Sequence, residues 1–168
     1  NWDVKRKKEE GSLAQGSLWT SNEAVSAVTV PKEMIVLGGG VIGCEFAYTY
    51  NALGSKVTVV EMLDRIIPPA DADLAAELQK SLNKQGISFV LGARVTKVED
   101  AEGRKVISYT DKDGADKTIA ADVLLVSTGR VAYTEGLNLE AVGVEMGPSR
   151  VLRVAIKTDS RMQTNVPG

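Results

Sequence analysis

The chain contains no histidine and only one cysteine, Cys44, in 168 residues. Histidine is the side chain that most often moves protons near neutral pH, so its absence removes the usual general acid or base. A lone cysteine can form neither an internal disulfide nor a dithiol redox pair. Any chemistry must therefore come from a cofactor or from another chain. Long apolar runs are also missing: no stretch approaches the roughly eighteen residues that a membrane span needs. The N-terminus has no apolar secretory core, which makes the cytoplasm or the mitochondrial matrix the expected location. With a net charge of −2 there is no broad positive footprint for nucleic acid. What remains is ordinary for a soluble globular protein, 43% hydrophobic and 25% charged, in a length that suits one well-buried domain and hardly two.

The pattern along the chain divides it into a lead-in segment over residues 1–30, a domain over 31–155 and an exit segment over 156–168. The run Lys5, Arg6, Lys7, Lys8, followed by Glu9 and Glu10, reads as a solvated tail rather than a localisation signal. Pro31 opens the ordered part. Met34-Ile35-Val36-Leu37 is a continuous apolar run that suits a buried parallel strand. A helix is predicted from Val41 to Leu53, stopped by Gly54. Lys56 to Val60, rich in β-branched residues, is a second strand. A further helix follows Pro68 and Pro69, with Asp71 or Asp73 as cap and Leu74, Leu78 and Leu82 on one face, ending at Gly86. Ile87 to Val90 is a third strand. Arg94 to Glu99, Lys105 to Thr110 and Lys117 to Ala120 alternate, and Asp113-Gly114 marks a hairpin turn between the last two. Val123 to Val126 returns to the buried sheet, and from Gly143 onward a loosely ordered exit is expected. The expected fold is therefore α/β: a three-layer Rossmann-type domain, its parallel sheet carrying a small antiparallel β-meander before the last strand.

Between the first strand and the first helix stands Gly38-Gly39-Gly40-Val41-Ile42-Gly43. Gly38, Gly40 and Gly43 meet the spacing G-x-G-x-x-G. The first permits a tight turn, the second lets backbone approach a pyrophosphate, and the third lets the helix pack closely on the sheet. The free N–H groups around Val41 and Ile42 then face the anion, aided by the helix dipole. Glu61 ends the second strand 23 residues after Gly38, where a carboxylate can accept hydrogen bonds from both hydroxyls of an adenosine ribose. A purely structural glycine turn is the alternative. A carboxylate there would repel a 2′-phosphate, which favours NAD over NADP. Arg65 reads as a solvated loop residue, with a phosphate contact as the lesser reading.

FAD domains use the same fingerprint, so the wider sequence matters. The stretch from Pro31 to Gly129, with Gly38–Glu45, Val57-Thr58-Val59-Val60-Glu61, Gln85-Gly86 and Ser127-Thr128-Gly129-Arg130, resembles the central NAD domain of the pyridine nucleotide-disulfide oxidoreductases, and among them of the dihydrolipoamide dehydrogenases. The tail Gln163 to Gly168 resembles the family segment that precedes the return to an FAD domain. The resemblance implies that Glu45, in the first turn of the helix, lies near the nicotinamide end of NAD, with a carboxylate stabilised by the helix dipole as an equal alternative. It implies that Val95 lies beside the adenine, an ordinary core valine being the alternative, and that Gly129 offers backbone to the cofactor. Cys44 matches no family redox cysteine and reads as a small buried hydrophobe. The first fifteen or so residues do not look like family sequence, and Ala132 stands where many relatives have proline. The family's FAD domain, cysteine pair and dimerisation domain, with its His–Glu pair, would be missing partners, so the chain is not expected to turn over alone. A different substrate within the family, such as that of an NADH oxidase, stays open. So does a free-standing Rossmann module serving as a structural or sensory subunit.

Overall fold

The computed structural model describes residues 15–149 and 153–167. The run Lys5 to Lys8 lies outside the described residues. The chain divides into two compact units, residues 1–128 and 129–168.

In the first unit five short strands form one parallel sheet: β1 (Leu18–Trp19), β2 (Glu33–Leu37), β3 (Lys56–Val60), β4 (Ser88–Val90) and β8 (Val123–Val126), in the order β1-β8-β2-β3-β4. In register, Leu37 lies opposite Val60 on one side and Val126 on the other. The run Met34 to Leu37 is buried at every residue because both faces of the sheet are covered. Side chains alternate across it. Met34, Val36, Val57, Val59, Val123 and Leu125 pack with the helices in one apolar cluster, while Ile35, Leu37, Val60 and Leu124 enter a second. That second cluster is closed by Val98, Ile107, Tyr109 and Ala121 of an antiparallel meander, β5 (Arg94–Ala101), β6 (Arg104–Thr110) and β7 (Asp116–Ala121). The three layers are therefore helices, parallel sheet and meander, the inserted meander covering the face opposite the helices. The β5–β6 turn has only Glu102 and Gly103 between paired residues, both at positive φ, which is the two-residue hairpin geometry. The expected Asp113-Gly114 turn sits inside a longer loop, where the Asp111 carboxylate accepts the N–H groups of Asp113 and Ala115.

α2 (Val41–Ala52) and α3 (Ala72–Lys84) link the parallel strands, and each is followed by a glycine at positive φ, Gly54 and Gly86. On α3 the buried residues are Ala75 and Leu82, while Leu74 is 61% exposed. A four-residue repeat drifts by about 40° per step at 3.6 residues per turn, so Leu74 has rotated away from the face that buries Leu82.

The structure corrects the lead-in. Residues 18–26 are ordered: β1 pairs in parallel with β8, and α1 (Ser21–Ser26) follows at once. Thr20 caps α1, accepting from Asn22 N–H, while Glu23 reaches back to the Thr20 N–H at 2.6 Å. The Tyr50 hydroxyl donates to Ala24 O at 2.7 Å, and the rings of Trp19 and Tyr50 lie 5.7 Å apart, so α1 is tied to α2 by buried contacts.

In the second unit a 3₁₀ turn, Leu139–Val142, precedes β9 (Met146–Ser149) and β10 (Arg153–Ile156), which pair antiparallel with Met146 opposite Ile156. The loosely ordered exit expected from Gly143 is thus a hairpin. Gly147 and Pro148 hide it in the sequence, although proline is tolerated in a two-stranded pair with an open edge. Asn165 closes the segment, accepting from Glu145 N–H and donating to Gly143 O.

Candidate functional site

The strand order of the parallel sheet reverses between β2 and β8: β3 and β4 continue on one side of β2, and β8 lies on the other. Just beyond the carboxyl ends of two such strands is where open α/β sheets hold ligands. The glycine turn occupies that place. Gly38 N–H donates to Val60 O at 2.8 Å, and Ser127 N–H donates to Leu37 O at 2.8 Å. At φ +106 a Cβ on Gly38 would lie 2.6 Å from Ser127 O, so no other residue fits. A Cβ on Gly43 would lie 2.0 Å from Gly38 O and 2.8 Å from Ser127 Oγ, which is how closely α2 seats on the turn. Ser127 completes the seat by sharing its hydroxyl proton between Leu37 O and Gly38 O, at 3.0 and 3.1 Å. It had no assigned role in the sequence beyond membership of the Ser-Thr-Gly-Arg run; only its partners, 89 and 90 residues away, show what it does.

Gly40 is the opposite case. It is the N-cap of α2, its backbone is extended, and a Cβ added there would meet nothing within 4 Å. Among the described residues no side chain caps the helix, and no acid stands in its first turn, so the positive end of the dipole around Val41 and Ile42 is left to something else. Val41 is exposed and Ile42 half-buried. Glu45 is the fifth residue of α2, not part of the first turn as the sequence suggested, and its side chain is exposed. The helix starts at Val41 as predicted, but Glu45 falls one residue past its first turn, where the dipole acts only weakly on a carboxylate.

Glu61 follows β3 and faces the turn. One carboxylate oxygen accepts the Gly39 N–H at 2.6 Å, and the other accepts the Leu63 N–H at 2.8 Å. An ionised carboxylate offers about four acceptor positions, so two remain. The acid is thus held rigidly beside the glycines with capacity for two more donors. Gly39 O accepts from Ile67 N–H at 2.7 Å and from the Cys44 thiol at 3.5 Å. Burial first, then the charges of Glu61 and Glu45, pushes the Cys44 thiol up to about 11, so at neutral pH it is a neutral donor and an inert part of the core.

Three further candidates have only local partners. Arg65 donates to Pro68 O within its own loop, in keeping with a solvated loop residue. Val95 is half-buried on β5 opposite Tyr109 and packs on the cluster under the meander. Gly129, at φ +115, is the first residue of the second unit.

A backbone-lined turn with room above Gly40, an acid-free helix start and a fixed carboxylate beside it suits a diphosphate joined to a sugar diol. A family profile described as pyridine nucleotide-disulphide oxidoreductase matches residues 5–168. The family likeness therefore includes most of the first fifteen residues, which the sequence had not suggested; polar segments of this kind carry too little pattern to be read singly. The chain is 44% identical over 149 residues to dihydrolipoyl dehydrogenase 3 of Pseudomonas putida, covering 88% of this chain and 31% of that protein. It is 41% identical over 154 residues to a dihydrolipoyl dehydrogenase of Acholeplasma laidlawii, covering 92% and 42% respectively. The fold matches that of RclA, an HOCl-induced flavoprotein disulfide reductase of Escherichia coli, with a TM-score of 0.74 at 28% identity, over 91% of this chain and 33% of that one. This chain thus spans about a third to two-fifths of the length of these relatives. No helix among the described residues is long and apolar enough to cross a membrane.

Proposed function

This chain belongs to the pyridine nucleotide-disulphide oxidoreductase family, and we propose that it is the NAD(H)-binding domain of a flavin-dependent disulfide oxidoreductase, specifically of a dihydrolipoamide dehydrogenase. The observation that carries the reading is the Glu61 carboxylate anchored against the glycine turn, 2.6 Å from the Gly39 nitrogen. In this reading the backbone of Gly38, Gly39, Gly40, Val41, Ile42 and Gly43 cradles the diphosphate at the start of α2. Glu61 uses its two remaining acceptor positions for the adenosine ribose hydroxyls, and the same charge rejects a 2′-phosphate. Val95 lies beside the adenine, and Glu45 lies toward the nicotinamide. Bound NAD supplies the hydride-accepting ring; the chain's own residues bind and orient it. FAD, a cysteine pair and a dimerisation domain belong to other parts of a parent enzyme, in which dihydrolipoamide is the electron donor. A cytoplasmic or mitochondrial-matrix location goes with that role. RclA carries the same fold at a TM-score of 0.74, which makes a disulfide reductase of another specificity the second reading.

Titration with NADH and NADPH, alongside a Glu61→Ala variant, tests the assignment. The unmodified chain is expected to bind NADH tighter than NADPH. Losing two hydrogen bonds to a charged acceptor weakens NADH by about a hundredfold or more, and the variant no longer discriminates between the two. Equal binding of NADH and NADPH by the unmodified chain would overturn the reading.

A further inference from the structure

We infer that Ile67 is a positioning residue for the anion site, aiming the Gly40 N–H outward through the carbonyl of Gly39. Ile67 stands at φ +38, a left-handed conformation that a β-branched residue rarely adopts, and it precedes Pro68, which narrows its choices further. The conformation has a visible use. It presents the Ile67 N–H to Gly39 O at 2.7 Å, while the Ile67 carbonyl accepts from Ala70 N–H at 2.9 Å and closes the turn through Pro68 and Pro69. The neighbouring Ile66 is fully buried, and its Cγ2 would lie 3.2 Å from a Cβ on Gly39, so the loop is pressed against the glycine turn.

The Gly39 carbonyl and the Gly40 N–H belong to one trans peptide and point in opposite directions. Holding the carbonyl inward, by Ile67 N–H and the Cys44 thiol, therefore turns the Gly40 N–H away from the loop. That N–H meets no hydrogen-bond acceptor among the described residues, and the space beside the Gly40 Cα is open. The same loop holds the preceding peptide as well, since Glu61 takes the Gly39 N–H. The segment from Glu61 to Ile67 thus sets the orientation of two consecutive peptides of the turn. The acid that would select the sugar and the strut that aims the anion donor lie on one short segment.

The inference takes the anion's identity, a dinucleotide diphosphate, from the proposed function, and its test separates the two. On the isotope-labelled 168-residue chain without nucleotide, NMR hydrogen exchange is expected to show the Ile67 amide protected. Inorganic pyrophosphate is expected to shift the Gly40 amide resonance. Ile67→Gly keeps the N–H and relieves the conformation, so the pyrophosphate shift and NADH affinity stay within about twofold of the unmodified chain. Ile67→Pro removes the N–H and, with φ fixed at about −65°, cannot hold the loop at its left-handed angle, so the Gly40 shift is lost, NADH weakens by at least about fivefold and the melting temperature falls below that of Ile67→Gly. An unprotected Ile67 amide, or a Gly40 shift that survives in Ile67→Pro, overturns the inference. Should Ile67→Pro not fold, exchange at Ile67 and the Gly40 shift in Ile67→Gly decide it. If NADH fails to bind the unmodified chain while Ile67 is protected and Gly40 responds to pyrophosphate, the dinucleotide assignment falls and the strut stands.

Discussion

One substitution, alanine for glycine, should have opposite consequences three residues apart in the same turn. At Gly43 the new Cβ would lie 2.0 Å from Gly38 O, whereas ordinary contact begins at 3.4 Å, so α2 must retreat from the turn by about 1.4 Å. Neither obstacle is compliant: Gly38 O is backbone, and Ser127 Oγ, 2.8 Å away, is fixed by two hydrogen bonds. Overpacking of this kind costs about 1–3 kcal/mol, and the loss of the Ser127 bonds places Gly43→Ala at or above the upper end. At roughly 3 °C per kcal/mol for a chain of this size, the melting temperature should fall by about 10 °C. Gly40→Ala meets open space on an extended backbone at φ −72. The small loss of N-cap preference is offset by a less flexible unfolded chain, leaving stability within about 1 kcal/mol. Its methyl group, however, enters the room left for the anion, so NADH affinity should drop by at least about tenfold. Calorimetry for stability and fluorescence titration for NADH separate the two effects. A Gly43→Ala chain melting within about 2 °C of the unmodified one would refute the packing argument, and a Gly40→Ala chain with undiminished affinity would refute the placement of the anion.

Leu125 of β8 is fully buried in the cluster between the parallel sheet and the helices, so Leu125→Ala should cost about 2–5 kcal/mol in urea unfolding with an unchanged denaturant slope. Thr20→Ala breaks the cap of α1 and should cost about 1 kcal/mol; a loss indistinguishable from zero would show that α1 is held by Tyr50 alone. Cys44 makes a pH-dependent contribution whose sign is set by its raised pKa. Below pH 9 the thiol is protonated in both folded and unfolded chains and contributes nothing. Between about 9 and 11 the unfolded thiol ionises while the folded one keeps its proton, so stability is lost as pH rises, by on the order of 2 kcal/mol. Thermal melts from pH 8 to 11 should therefore fall more steeply for the unmodified chain than for Cys44→Ala.

The features that sequence alone determined share one property: each is a local pattern with a short-range cause. Met34 to Leu37 is apolar at every position because a central parallel strand is covered on both faces. Gly38 and Gly43 are glycine because a Cβ at either would strike backbone or a fixed side chain, and Glu61 falls where the second strand ends. The capping signature Thr20-Ser21-Asn22-Glu23 is equally legible, although a reading of residues 1–30 as a lead-in segment passes over it.

Tertiary structure decided the rest. Leu18 and Trp19 form a strand only because β8, more than a hundred residues later in the chain, offers its edge, and two residues have no periodicity to read. Which face of α3 is buried depends on what the sheet presents to it, so Leu74 is exposed although its spacing matches that of Leu82. Ser127 and Ile67 act on the turn through hydrogen bonds to carbonyls far away in sequence, and such bonds leave no trace in side-chain pattern. A single chain encodes directly what each residue prefers near its neighbours; which distant backbone group it will meet is settled only when apolar surfaces have been buried together.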